Sequence, residues 1–119
     1  MHMKISQHFS REEFTCHCGC GFDTVDCGLL NILEMVRQHF HAALAINSAA
    51  RCLEYNRKIG SKDTSQHVLG KAADITVKGV APEEVANYAA MIMQDRGGIG
   101  RYTGFTHIDS RDERARWSS

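Results

Sequence analysis

The chain has 119 residues, of which 43% are hydrophobic and 24% are charged, values typical of one soluble globular domain with its own core. Its 14 acidic and 14 basic residues cancel, so no overall field directs the chain to nucleic acid or to a membrane surface. No apolar run approaches the roughly 20 residues of a membrane-spanning helix, and no signal peptide is recognisable.

We expect a single domain over residues 3–119, with residues 1–2 left over from cloning. A local basic cluster near the end, Arg111, Arg114 and Arg116, is interrupted by acidic residues. We interpret this cluster as a solvated terminal face.

Two helices are predicted in the first 44 residues, with a loop between them. Ser10 and Glu13 have the spacing of a capping box, which predicts a short helix at this point. Residues 15–26 are rich in glycine and cysteine and are predicted to form a loop. Apolar residues then recur at steps of three and four over residues 29–44, which predicts an amphipathic helix with Asp26 as its N-cap.

The rest of the chain predicts a small sheet and one more long helix. Strands are expected at residues 45–48, 72–77, 99–102 and 105–109, with one helical turn at residues 54–58 and a loop at residues 60–64. Pro82 at a first helical position begins a helix that the pair Gly97-Gly98 is expected to end. Because helices and strands are intermixed and the last two strands suggest an antiparallel pair, we predict an α+β fold. It has a small antiparallel sheet with helices packed on one face.

The five cysteines of the chain are Cys16, Cys18, Cys20, Cys27 and Cys52. Zinc knuckles usually separate paired cysteines by two residues, and alternate residues of an extended chain point to opposite faces. The Cys-x-Cys-x-Cys run therefore favours a structural role without metal, as buried thiols or as a disulfide to Cys52. A second zinc ion is the alternative.

The stretch with the clearest chemistry is Ser-Gln-His-Val-Leu-Gly-Lys-Ala-Ala-Asp at residues 65–74. His67 and Asp74 offer nitrogen and oxygen donors that suit zinc. Their spacing is too wide for one helix face, but a loop that doubles back at Gly70 can present Asp74 from the following strand. Two ligands make a poor site, and His107, in another predicted strand, supplies a third. Zinc held by three side chains keeps one position open for water, as catalytic zinc sites do.

These motifs resemble those of the zinc D-alanyl-D-alanine carboxypeptidases and endopeptidases of bacteria and phages, which share a fold with Hedgehog. The resemblance extends to residues 46–56, which are similar to the family's arginine-bearing strand and turn, and to residues 9–16, which are similar to the opening of its phage-type members. It implies a Hedgehog-like fold and a lysin-like zinc peptidase. The expected substrates are peptide bonds of peptidoglycan that contain D-amino acids.

The resemblance also implies roles for residues around the metal. Arg51 is expected to hold the substrate carboxylate or the carbonyl near the metal, because its planar guanidinium can bind a carboxylate through two parallel hydrogen bonds. Ser65 and Gln66 can donate hydrogen bonds to substrate or to Asp74. Tyr102 is a candidate to line the pocket. Trp117 either covers the core or stacks on a substrate.

The general base is the open question. Many relatives carry an acidic residue three positions before the final histidine, where this chain has Gly104. Asp109 follows His107 at a spacing that places both on one face of a strand, so it is our candidate base. It can instead be the acceptor that orients a ligand imidazole. Asp63 or Glu54, delivered by a loop, is the remaining candidate.

We expect a monomer whose partners are stem or cross-link peptides of peptidoglycan, without nucleic acid binding or membrane insertion. Because no signal is recognisable, the protein is expected to be cytoplasmic at synthesis and to act on the wall after cell lysis or phage delivery. The glycine at position 104 favours an alternative, a non-hydrolytic zinc-containing module that binds the cell wall. A third hypothesis makes the cysteine-rich residues 16–27 the functional centre.

Overall fold

The computed structural model describes residues 3–119, so the expected cloning remnant at residues 1–2 lies outside the described residues. In chain order the elements are α1 (Cys27–Phe40), β1 (Leu44–Ser48), α2 (Leu53–Lys58), β2 (Ala72–Val77), α3 (Pro82–Met93), β3 (Gly98–Arg101), β4 (Thr106–Asp109) and β5 (Ala115–Ser118). Two 3-10 turns, Arg11–Phe14 and Gln66–Leu69, precede α1 and β2. The fold is α+β, as predicted.

The described residues form one five-stranded sheet in the order β1-β2-β4-β3-β5. Neighbouring strands are antiparallel except β3 and β5, which are parallel. The register of β2 against β4 places Asp74 directly opposite His107. Directly opposed residues on neighbouring strands have their side chains on the same face, close enough to interact. The strand register alone therefore brings two of the three candidate ligands together, without a contribution from the loops.

The hydrophobic core lies between the sheet and the helices α1 and α3. Ile75, Ile99 and Ile108 are fully buried from the sheet side, and Leu33 and Val85 meet them from the helices. Because side chains alternate along a strand, burying Ile75 and Ile108 against the helices turns Asp74 and His107 to the opposite face. The polar side chains of Asp74 and His107 therefore lie on the face of the sheet that does not pack against the helices.

Both long helices end earlier than their periodicity predicts. The first ends at Phe40 rather than residue 44, because His41 takes a left-handed conformation (φ 50°) and Leu44 pairs with Val77 in the sheet. The end of this helix was not predicted because the apolar spacing continues past Phe40. Strand pairing in the folded protein overrides that local helical pattern. The second ends at Met93, where Gln94 has a φ of 52°, before the glycine pair.

The N-terminal predictions agree with the structure. Glu13 accepts a hydrogen bond from the backbone N–H of Ser10 at 2.7 Å, as a capping box requires. Asp26 caps α1 by accepting a bond from the N–H of Leu29 at 3.3 Å. No helix among residues 3–119 is long and apolar enough to cross a membrane.

The C-terminal segment was not predicted to be a strand. It forms β5, and Arg116 donates hydrogen bonds to the carbonyl groups of Gly97 (2.6 Å) and Gln94 (2.8 Å). Arg111 is paired with a fully buried carboxylate, described below. The interpretation of this basic cluster as a solvated face is therefore wrong for Arg111 and Arg116, because backbone pairing with β3 folds the segment back onto the sheet.

Candidate metal centre

A tight turn presents His67 and passes the chain into β2. The hydroxyl of Ser65 accepts a hydrogen bond from the backbone N–H of His67 at 3.2 Å, which caps the 3-10 turn. The turn ends at Gly70, whose φ of +70° favours glycine, and a Cβ there would lie 2.5 Å from the carbonyl oxygen of Thr24. The chain doubles back at Gly70 as the sequence predicts and carries Asp74 into the centre.

The three candidate ligands converge on one point. Asp74 Oδ1 lies 3.0 Å from His107 Nδ1 and 3.3 Å from His67 Nε2. One ligand atom from each residue lies within 4.8 Å of the other two, and all three residues are mostly buried. The structure thus brings together the His–Asp–His set that the two sequence motifs predict.

The protons of the two imidazoles can be assigned from their outer contacts. His67 Nδ1 donates to the carbonyl oxygen of Ala49 at 2.7 Å, which leaves Nε2 with a lone pair. His107 Nε2 donates to Asp109 Oδ2 at 2.8 Å, which leaves Nδ1 with a lone pair when the ring is neutral. Both lone pairs then face Asp74 Oδ1, another acceptor. Three acceptors at one point repel each other unless a cation lies between them, so these residues fit a zinc ion.

The electrostatics of the centre favour a bound cation as well. Burial alone would raise the pKa of Asp74, but its interactions with the neighbouring His107 and His67 imidazoles hold it well below its usual range. Burial alone would lower the pKa of His107, yet hydrogen bonds to Asp109 and Asp74 raise it above its ordinary value of 6.5. These contacts favour a proton on His107 Nδ1, and a metal ion bound at Nδ1 would take the place of that proton.

The candidate ligands lie at a cavity of about 680 Å³. The four residues predicted to contact substrate, namely Arg51, Ser65, Gln66 and Tyr102, also line it. The cavity is large enough for part of a peptide, in the range of ordinary ligand sites. The structure therefore places the predicted substrate-contacting residues beside the candidate metal ligands.

A family model described as Peptidase M15 matches residues 7–109. The chain belongs to the Peptidase M15 family. M15 peptidases are zinc-dependent, so the chain is a metallopeptidase, and the His–Asp–His set is able to bind the metal. The family points to a zinc peptidase that acts on peptidoglycan. None of the curated proteins matches the chain.

In this M15 peptidase Asp109 lies behind His107, away from the cavity. It is 0% exposed, and its carboxylate accepts hydrogen bonds from Gly98 N–H (2.9 Å) and from both Nε (2.8 Å) and Nη2 (2.7 Å) of Arg111. A Cβ at Gly98 would collide with this carboxylate, so a glycine is needed at that point of β3. Burial alone would raise the pKa of Asp109, but hydrogen bonds from His107 and Arg111 keep it well below its usual range. Of the two predicted roles, this arrangement favours orienting the imidazole.

Arg51 lies at the wall of the cavity with its guanidinium held on three sides. Its Nε donates to Ser48 Oγ at 3.3 Å, and its Nη1 donates to Asn56 Oδ1 at 3.1 Å. Its Nη2 lies 3.6 Å from Asp74 Oδ2, the carboxylate oxygen that faces away from the histidines. Arg51 is thus an ion-pair partner of a candidate metal ligand and is also positioned to meet a substrate.

Aromatic residues also line the cavity. Tyr102 stacks on Phe105 with ring centroids 4.4 Å apart, and its hydroxyl accepts a hydrogen bond from Trp117 Nε1 at 2.9 Å. The ring of Trp117 lies 5.0 Å from that of His107. Trp117 thus lines the site instead of covering the core, which fits the second of its two predicted roles.

Arg111 was not predicted to belong to the site. The alternation His107-x-Asp109-x-Arg111 was the available signal, because residues two apart on an extended chain share a face.

The other predicted bases lie away from the cavity. Asp63 is exposed and bound by Arg57 through contacts of 3.0 and 2.8 Å, and neither Asp63 nor Glu54 is among the described residues that line the cavity. Gly104 is exposed, with open space around it. Among the described lining residues, Asp74 is the one carboxylate. The identity of the general base stays a prediction.

Proposed function

We propose that this M15 peptidase uses one zinc ion, held by His67, Asp74 and His107, to hydrolyse bonds of bacterial peptidoglycan that contain D-amino acids. The observation that carries the proposal is the convergence of two imidazole lone pairs and one carboxylate oxygen at an open cavity. When bound, zinc would polarise the scissile carbonyl and lower the pKa of the attacking water towards about 7.

The residues around the ligands prepare them for this task. The carbonyl of Ala49 and the carboxylate of Asp109 each hold one imidazole in a single tautomer and orientation, as histidine ligands require. Arg111 keeps Asp109 ionised and in place through two charge-assisted hydrogen bonds. The imidazoles therefore need little reorganisation when the metal binds.

The charge of the cavity suits a substrate with carboxylates. Arg51, Lys62 and Arg111 line it, and among the described lining residues Asp74 is the one carboxylate set against them. Peptidoglycan stem peptides end in a carboxylate, and a guanidinium binds that group through two parallel hydrogen bonds. We therefore assign Arg51 to the substrate carboxylate or to the carbonyl near the metal. Ser65 and Gln66 serve as hydrogen-bond donors and Tyr102 as a wall.

The proposal covers removal of a terminal D-alanine and cleavage within a stem or cross-link peptide. We propose that the protein is a monomer, that it is made in the cytoplasm, and that it reaches the wall after cell lysis or phage delivery. Its partners are peptides of the wall, and the proposal includes neither nucleic acid binding nor membrane insertion.

A non-hydrolytic wall-binding module is the second candidate. The observation that favours it is the lack, among the described residues lining the cavity, of a carboxylate other than Asp74 to accept a proton. Incubation of the full chain with purified cell walls separates the two. Soluble muropeptides that appear with zinc and cease with a chelator support the enzyme. Saturable retention on the walls without any release would overturn it in favour of the module.

A further inference from the structure

A second group of metal-ligating side chains lies apart from the His–Asp–His centre. We name it the cysteine cluster, and it consists of Cys16, Cys18, Cys20 and Cys52. One sulfur from each residue lies within 4.8 Å of the other three. The fifth cysteine, Cys27, is exposed on the first turn of α1 and does not belong to the cluster. We propose that the cysteine cluster binds a second zinc ion, with a structural role.

The distances between the sulfur atoms match a tetrahedral site. Cys16 and Cys18 are 3.5 Å apart, Cys18 and Cys52 are 3.6 Å apart, and Cys16 and Cys52 are 3.9 Å apart. Four sulfurs placed about 2.3 Å from zinc in a tetrahedron are about 3.8 Å from one another. A disulfide would require about 2.05 Å. These three separations fit thiolates around one ion, and Cys20 Sγ lies within 4.8 Å of the other three sulfurs.

The backbone explains how a Cys-x-Cys-x-Cys run can aim three sulfurs at one point. Gly19 and Gly21 have φ values of +84° and +90°, so the chain turns here and is not extended. The N–H of Gly19 bonds to the carbonyl of Cys16 at 3.3 Å, and the N–H of Cys16 bonds to the carbonyl of Phe22 at 2.8 Å. The expectation that alternate cysteines point to opposite faces is wrong, because it assumed an extended chain.

Backbone N–H groups donate to three of the four sulfurs. Cys16 Sγ accepts from the N–H of Cys52 at 3.4 Å, and Cys52 Sγ accepts from the N–H of Tyr55 at 3.4 Å. Cys20 Sγ accepts from the N–H of Phe22 at 3.5 Å. Hydrogen bonds to the charged form favour thiolates, and zinc binds thiolates.

The exposure of the cluster argues against the prediction of buried thiols without metal. Cys16 is buried, but Cys18 and Cys20 are exposed, so burial does not account for their position. Four protein ligands leave zinc no open coordination position, which is the arrangement of structural sites. All-sulfur tetrahedral donors select zinc or iron among the common metals.

The cluster joins two segments that are 32 or more residues apart in the chain. Cys52 directly follows Arg51, whose backbone N–H bonds to the carbonyl of His67 at 3.0 Å. The N–H of Ala50 bonds to the carbonyl of Phe14 at 3.1 Å. A zinc ion in the cluster would therefore fix the backbone of Arg51 relative to the N-terminal loop and support one wall of the cavity without touching substrate.

Metal counting on the purified full chain tests this inference. We expect two zinc ions per chain in the parent, one in Cys18→Ser and two in the matched control Cys27→Ser. His107→Ala should hold one zinc ion in the cysteine cluster and lose the zinc ion of the His–Asp–His centre. Failure of the proposed function and failure of the cluster are therefore distinguishable. One zinc in the parent with full retention in Cys18→Ser would overturn the cluster, and iron in place of zinc would overturn the choice of metal.

Alkylation of the parent protein tests the same site without a variant, since Cys18→Ser can fail to fold. Iodoacetamide is added under native conditions, and the modified cysteines are located by mass spectrometry. Cys18 and Cys20 are exposed like Cys27, so burial does not shield them, and protection that a chelator removes identifies metal ligation. We expect Cys27 to react at once and the other two at least about tenfold more slowly until a chelator is added. Equal reaction of all three in zinc-loaded protein would overturn the inference.

Discussion

The His–Asp–His centre and the cysteine cluster each gather their donor atoms within 4.8 Å, yet they are built for different tasks. The first offers two nitrogens and one oxygen at a cavity of about 680 Å³. The second offers four sulfurs from a tight loop and the N-cap of α2. Three mixed ligands leave zinc a position for water, whereas four thiolates leave none. The number of protein ligands thus distinguishes a candidate catalytic centre from a candidate structural one.

The two regions are also positioned by different parts of the chain. The register of β2 against β4 places Asp74 opposite His107, so the sheet itself sets the first centre. The cysteine cluster depends on positive-φ glycines and on a contact between two loops. We therefore expect the His–Asp–His centre to stay organised without metal, while the cysteine loop needs its ion.

The largest expected effect comes from removing one ligand of the open centre. His107→Ala should lose one zinc ion, and hydrolysis of muropeptides should fall to the rate without enzyme, because three ligands become two. Elemental analysis and a release assay on the same preparation check both results. His41→Asn is the matched control, since His41 is exposed and asparagine tolerates its left-handed conformation. Full zinc occupancy in His107→Ala would remove this residue from the centre.

A smaller effect is expected from the residue behind the ligand. Asp109→Asn should weaken zinc binding at the open centre by about 10–100-fold, because an amide orients the His107 imidazole less well than a carboxylate. Activity should partly return when zinc is added. Zinc dissociation and turnover are measured on one preparation. If zinc stays bound while turnover falls by about 10²–10⁴-fold, Asp109 is the general base instead.

Arg51→Lys probes the wall that the cysteine cluster supports. A lysine keeps the positive charge but cannot make two parallel hydrogen bonds, so kcat/KM should fall by roughly 10-fold, with two zinc ions retained. Steady-state kinetics on a defined muropeptide gives the value. Kinetics equal to those of the parent would show that Arg51 serves only as the ion-pair partner of Asp74.

The last expected effect is a pH dependence of zinc binding at the open centre. Zinc must displace the proton from His107 Nδ1, and hydrogen bonds to Asp109 and Asp74 raise the pKa of His107 above 6.5 in the metal-free protein. Affinity should therefore be full above that raised pKa and fall as pH drops through it, by up to about tenfold per pH unit. Zinc titrations between pH 5 and 8, a range of about three units around the ordinary imidazole pKa, check this. An onset well below pH 6.5 would contradict the assigned contacts.

The sequence revealed those parts of the molecule whose signal is local. Residues 65–74 carry the turn at Gly70 and two candidate ligands in one stretch, and periodicity located the two long helices. The ends of those helices at Phe40 and Met93 were missed, because strand pairing and left-handed residues decide them. The spacing of apolar residues along the chain does not show where these helices end.

Long-range pairing explains the remaining misses. Strand β5 is parallel to β3, so the place of Trp117 in the cavity depends on a partner 17 residues away, Gly100. Gly100 makes room for the indole, since a Cβ there would lie 2.5 Å from Trp117 Nε1. The cysteine cluster depends in the same way on a contact between Cys52 and a loop more than 30 residues earlier. Such contacts follow from the packed sheet and not from spacing along the chain.

Mass spectrometry of defined muropeptides, digested by the zinc-loaded chain with and without a chelator, tests the central claim most directly. We predict one new cleavage at a bond containing a D-amino acid, which is absent with chelator, restored by zinc and absent with His107→Ala. The mass of the product also tells removal of a terminal residue from internal cleavage. Muropeptides recovered intact from the zinc-loaded chain, or cut equally well by His107→Ala, would contradict it.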